Sequence, residues 1–148
     1  MSMLHEYFVV GSDEEAAAVL EWPAGPSAPP VGTEIGGVLS LGGIDPSMVI
    51  GLASRMDGTD SEDGFAEPDD VIAFSDERWV MKLPAVVKHM LGQASVAELD
   101  AGADAWTSGD GSASGIDPGT ARGVVEQLAG LARQATQQSH GLYCWVSL

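Results

Sequence analysis

The chain has one cysteine, no asparagine, and six basic residues, only two of them lysines, against 22 acidic ones. Each shortage excludes something. Cys144 has no second cysteine with which to close an internal disulfide, and a lone thiol fits a reducing compartment. Six cations are too few to follow a phosphate backbone, so neither nucleic acid nor an anionic membrane surface is an expected partner. No apolar run reaches the length needed to cross a bilayer, and Met1 to Glu6 carries no basic stretch of the kind that opens a secretory leader. The expectation is a soluble cytoplasmic protein. The missing asparagine, together with abundant alanine and glycine, also fits a lineage-wide compositional bias.

At 148 residues and 45% hydrophobic, the chain suits one compact domain with a full core. Its formal charge of −16 is the property most relevant to function. Such a field accelerates encounter with a basic protein, while its bland meaning is solubility.

Glu6 to Val10 reads as a first strand closed by Gly11. Ser12 and Glu15 then have the Ser-x-x-Glu spacing of a capping box, opening a helix to about Glu21. Pro23 to Gly32 holds four prolines and reads as a loop; Ile35 to Leu41 reads as a short, glycine-broken strand. Asp45 and Pro46 supply an N-cap and a first helical residue for a helix to about Met56. Val71–Phe74 and Arg78–Lys82 read as strands, and Pro84 opens a helix that Gly92 should stop. Ser95 and Glu98 form a second capping-box pair. Ala121, Val124, Val125, Leu128, Ala132 and Ala135 make an apolar stripe of 3.6-residue period behind the Asp117-Pro118 start. Leu142 to Val146 closes the chain as a strand.

Gly43-Ile44-Asp45-Pro46 recurs as Gly115-Ile116-Asp117-Pro118, and the same shift lays strand on strand and helix on helix. That suggests an internal duplication, residues 5–74 on 77–146, with a pseudo-twofold axis relating the halves. The expected fold class is α+β: four or more strands in a mixed or antiparallel sheet, with the Asp45 and Asp117 helices on one face.

Chemistry-bearing motifs are few. Asp57 to Asp70 holds seven acids in fourteen residues, the sort of cluster that hard cations favour. With Gly64 at the EF-hand glycine, however, Thr59 and Asp70 fall where Asp and Glu belong, so a solvated charge run reads better. His5 and His140 flank the first and last strands. If those strands are neighbours the rings could meet near Cys144, although isolated histidines are the commoner case. Gly111-Ser112-Ala113-Ser114-Gly115 lacks the strand-to-helix setting of a nucleophile elbow, and Gly109, Gly111 and Gly115 lack dinucleotide spacing. No metal, cofactor or catalytic residue is assigned. Trp79 and Trp145 suit a core, whereas Trp22, before Pro23, and Trp106, beside the 108–115 loop, are candidates for an interface or pocket rim.

Glu6-Tyr7-Phe8, Gly43-Ile44-Asp45-Pro46 and Leu142-Tyr143-Cys144-Trp145 together resemble a group of small actinobacterial proteins of unknown function. Met1-Ser2-Met3, Tyr7 and the following helix more loosely resemble the YfbM-like family. The resemblance implies a stand-alone bacterial cytoplasmic domain and brings no catalytic residues. The sequence thus reads as a non-enzymatic acidic interaction protein, inhibitor- or immunity-like, with a basic protein as partner. The alternative is a small-molecule-binding domain or enzyme with its site in a crevice between the halves, lined by Trp106 and residues 108–115.

Overall fold

Strands that alternate two apolar sets can only be satisfied by a sheet covered on both faces, and that is how this chain folds. A computed structural model describes residues 4–22, 25–29, 35, 37–57, 70–108, 113 and 115–148. Among them, β1 (Leu4–Val10), β2 (Gly37–Ser40), β3 (Asp70–Phe74), β4 (Arg78–Lys82) and β5 (Gly141–Ser147) form one antiparallel sheet in the order β2-β1-β5-β4-β3. The α+β expectation holds. The first and last strands pair at the centre, which holds the C-terminal strand in place.

Tyr7 and Val9 of β1, with Leu142, Cys144 and Val146 of β5, face the larger core. That core is closed by α2 (Pro46–Met56), α3 (Ala85–Gln93), α4 (Val96–Trp106) and α5 (Pro118–Gln137). The intervening residues Phe8, Val10, Tyr143 and Trp145, with Val80 of β4, face the opposite side. There the short α1 (Asp13–Ala18) and the 3-10 turn Val19–Glu21 cover them with Ala16, Val19 and Trp22. A second 3-10 turn, Gly25–Ser27, is fastened to β1 by Glu6, whose carboxylate accepts from the Ser27 hydroxyl (2.6 Å) and amide (3.2 Å). Gly25 has φ +68°, and a Cβ there would come within 2.9 Å of the Trp145 indole, so both backbone and packing require glycine.

Helix starts follow local chemistry. Asp45 and Asp117 each cap the amide three residues on, and a proline occupies the first turn. At Ser95 both halves of the capping box form. At Ser12 only one half does: the hydroxyl accepts from the Glu15 amide, while the Glu15 carboxylate reaches one residue further, to the Gly11 amide. Gly92 does not stop α3, which continues to Gln93. It lies against the backbone of Ala132, where a Cβ would come within 3.3 Å, so it serves the close approach of α3 to α5.

The sequence echo is matched in element type: β1 with β4, α1 with α3, α2 with α5, β3 with β5. The counterpart of Ile35–Leu41 falls mostly outside the described residues. Spatially the halves differ. α1 covers one face of the sheet and α3 the other. β4 and β5 are neighbours, whereas β5 and β4 stand between β1 and β3. What the two stretches share is the order of element types; the placement of α1 and α3 and the strand neighbours are not shared.

Candidate functional site

Two surface features stand out: one gathers carboxylates and the other gathers both lysines. The first lies where the β3–β4 turn meets the end of the Val19–Glu21 turn. Leu20, Glu21, Ser75, Asp76, Glu77 and Arg78 line an open cleft of about 400 Å³. Arg78 is turned back into the fold, its guanidinium donating to the Trp22 carbonyl at 3.3 Å. The carboxylates of Glu21, Asp76 and Glu77 take part in no ion pair among the described residues. Beside the cleft runs β3, an edge strand of the sheet, with Val71 and Phe74 51% and 78% exposed. An open edge bearing apolar side chains is a template for another strand unless charge or a bulge blunts it. This one has a register irregularity between Val71 and Ala73 and carboxylates at its end.

The second feature is at the opposite end of β4. A cavity of about 260 Å³ is walled by Gly11–Asp13, Lys82, Lys88, Ser139, His140 and Tyr143 among others. The Tyr143 hydroxyl donates to Asp13 Oδ1 at 2.7 Å, and Lys82 Nζ lies 3.0 Å from the same oxygen. Lys82 also sits 5.9 Å from the centroid of the Tyr143 ring. The Tyr143 and Lys82 hydrogen bonds hold the Asp13 carboxyl below its usual range. Burial, and then the carboxylate it donates to, push the Tyr143 phenol well above the usual tyrosine range. It is therefore neutral, and its proton is committed to Asp13. Lys88 Nζ donates to the His140 carbonyl at 2.9 Å.

The tryptophans proposed for a rim lie in the interior. Trp106 is fully enclosed in the larger core, and its indole N–H donates to the Met48 carbonyl at 2.9 Å, tying α4 to α2. Trp22 is 9% exposed and packs with Phe8, Val10 and Trp145 on the other side of the sheet. Both answer to a physical requirement that sequence position did not display: a large indole at an element boundary is used to close a core. Of the 108–115 loop, residues 109–112 and 114 lie outside the described residues, as do residues 58–69 of the acidic stretch.

β1 and β5 are indeed neighbours, but their antiparallel register places His5 opposite Val146 and Val10 opposite Gly141. His5 and His140 therefore sit at opposite ends of the pair. Among the described residues, no group of three or more His, Cys, Asp or Glu could hold a metal ion. Also among them, no helix is long and apolar enough to cross a membrane. Sequence reasoning missed both surface features. The cleft needs the β3–β4 turn brought to the end of Val19–Glu21, and the cavity needs β4, α3, β5 and the start of α1 together. The one available signal was that the chain has only two lysines. Comparison with protein-family profiles, curated proteins and solved structures finds no match.

Proposed function

We propose that the chain is a non-enzymatic, acidic protein-interaction module, inhibitor- or immunity-like in kind, that acts in the cytoplasm on a basic protein. The observation that carries this reading is the cleft of Glu21, Asp76 and Glu77 beside the exposed Phe74 on β3, which is an edge of the sheet among the described residues. A basic segment adding to β3 would use the backbone for affinity, Phe74 and Val71 for apolar contact, and the three carboxylates for register. The charge of −16 would steer such a partner from a distance. The same field works against nucleic acid or an anionic membrane as the partner. A small-molecule site in the crevice beside Trp106 has little support, because that indole is enclosed and its N–H already bonded.

The test is a pull-down from native lysate at low and moderate salt. Wild type is run beside a Glu21→Lys/Asp76→Lys/Glu77→Lys variant and a Phe74→Ser variant. A stoichiometric basic protein should be held by wild type, released as salt rises, and lost from both variants. Capture of nothing at either salt, or of a partner that both variants retain, removes the proposal.

A further inference from the structure

We infer that the cavity between β4, α3 and the α5–β5 corner binds a small organic carboxylate that also carries a hydroxyl or amino group. The starting point is distribution. The chain has 22 acids and two lysines, and both lysines line this one cavity. Lys82 is neutralised by Asp13. Lys88 takes part in no ion pair among the described residues; its ammonium spends one of three protons on the His140 carbonyl. The carboxylates facing the cavity are Asp13 in its wall and Glu15 beside Gly11, where it accepts the Gly11 amide at 3.3 Å. A lone ammonium held by a carbonyl, with no counter-charge of its own, is the group a ligand carboxylate would pair with.

The corner itself points the same way. Ser139 has φ +56°, the left-handed region that glycine occupies at least cost, and no other described residue but glycine adopts it. Its amide bonds to the Thr136 carbonyl, and the His140 amide to Ala135 at 2.8 Å, which is the usual glycine-terminated end of a helix. Ser139 lines the cavity at a position where glycine would fold more easily. Opposite, Gly11 admits the His140 ring: a Cβ there would come within 3.4 Å of Nε2. The acceptors are also in place. The Tyr143 hydroxyl keeps its proton and points it at Asp13 Oδ1, so the phenol oxygen offers a lone pair, and Asp13 has a second carboxylate oxygen. The Lys88 ammonium as cation, with the Asp13 and Tyr143 oxygens as acceptors in the same cavity, matches a ligand that carries an acid group and a hydroxyl or amine. The volume of about 260 Å³ corresponds to roughly eight or nine water molecules, which suits a compound of similar heavy-atom count.

The experiment titrates the labelled full chain with sodium lactate, L-serine, sodium acetate and inorganic phosphate, each against sodium chloride at equal ionic strength, following backbone amide resonances. Lactate or L-serine should give saturable shifts at Gly11, Ser12 and Gly141, at least threefold tighter than acetate. Lys88→Met should weaken binding at least tenfold, and Lys88→Arg should restore it to within threefold of wild type. Asp13→Asn should erase the advantage over acetate while leaving the spectrum dispersed. Shifts no larger than those with chloride, an unchanged affinity in Lys88→Met, or tighter binding of phosphate than of lactate would each overturn the assignment.

Discussion

The Tyr143 hydroxyl and the Asp13 carboxylate meet at 2.7 Å across 130 residues of sequence, joining the last strand to the first helix. Tyr143 is 1% exposed and stacks on Phe8 at 5.6 Å, so its ring is fixed by the sheet and the bond orients α1 over it. Gly141 makes the reach possible: a Cβ there would come within 2.7 Å of the Tyr143 oxygen. Tyr143→Phe should therefore cost about 1 kcal/mol, and Asp13→Ala a similar amount, with a coupling of about 0.5–1 kcal/mol in the double-mutant cycle. The Lys82 ion pair adds little, because both of its partners are partly exposed. The pH dependence has a definite sign. Asp13 is held below its unfolded value of 3.8, so its contribution is complete above that pH and is lost as pH falls through the folded value. Acid unfolding monitored by circular dichroism should show a shallower loss of stability below pH 4 in Tyr143→Phe than in wild type.

Gly92 separates two meanings of a helical glycine. On α3 it faces the Ala132 backbone, where a Cβ meets atoms at 3.3 Å that cannot rotate away. On α5, Gly123 is exposed, and a Cβ there meets nothing within 4 Å. Gly92→Val should destabilise by about 1–3 kcal/mol through overpacking, outweighing any gain in helix propensity. Gly123→Ala should stabilise by about 0.5–1 kcal/mol. Urea denaturation of both variants checks the pair, and equal effects would mean that α3 and α5 are not closely packed.

The same glycines show how far the sequence could be read. Ser95 with Glu98, and Asp45 and Asp117 before proline, marked helix starts because capping is local chemistry. Four of the five strands were legible from β-branched and aromatic runs, as was the inner face of α5, whereas β2 showed only as a short, glycine-broken apolar segment. Gly92 looks like a helix stop in the sequence because its close approach to Ala132 is a long-range property. Pairing order was equally hidden: a shift of 72 residues matched element types but could not reveal that α1 and α3 cover opposite faces. The candidate surfaces were less legible still, since Glu21 meets Asp76, and Lys82 meets Lys88 and His140, only after the sheet has formed.

His5 gives a second pH dependence, at higher pH. It is 5% exposed beside Trp79, Met81 and Val146, and burial lowers its pKa, with the Asp45 carboxylate opposing in part. Its Nδ1 has no hydrogen-bond partner among the described residues. A folded value below the unfolded 6.5 means that the unfolded chain takes up the proton more readily. Stability is then full above about pH 6.5 and falls as pH drops below it. His5→Leu should remove this slope between pH 7 and pH 5 in thermal unfolding at constant ionic strength. A variant with the wild-type slope would place the titration elsewhere.

Trp106 tests whether the larger core and the acidic cleft are independent. Its indole is fully enclosed and bonded to the Met48 carbonyl at 2.9 Å, so Trp106→Phe removes a partly buried hydrogen bond and leaves a void between α4 and α2. The cost should be about 1–3 kcal/mol. Phe74 and the Glu21–Asp76–Glu77 cleft lie on a different part of the molecule, served by the smaller core around Trp22. Provided the variant is assayed well below its midpoint of unfolding, capture of a basic partner should match wild type. Loss of capture in folded Trp106→Phe would move the interface to the α2–α4 side and away from β3. Retention, with loss in Phe74→Ser, would separate the residue that stabilises the fold from the one that meets the partner.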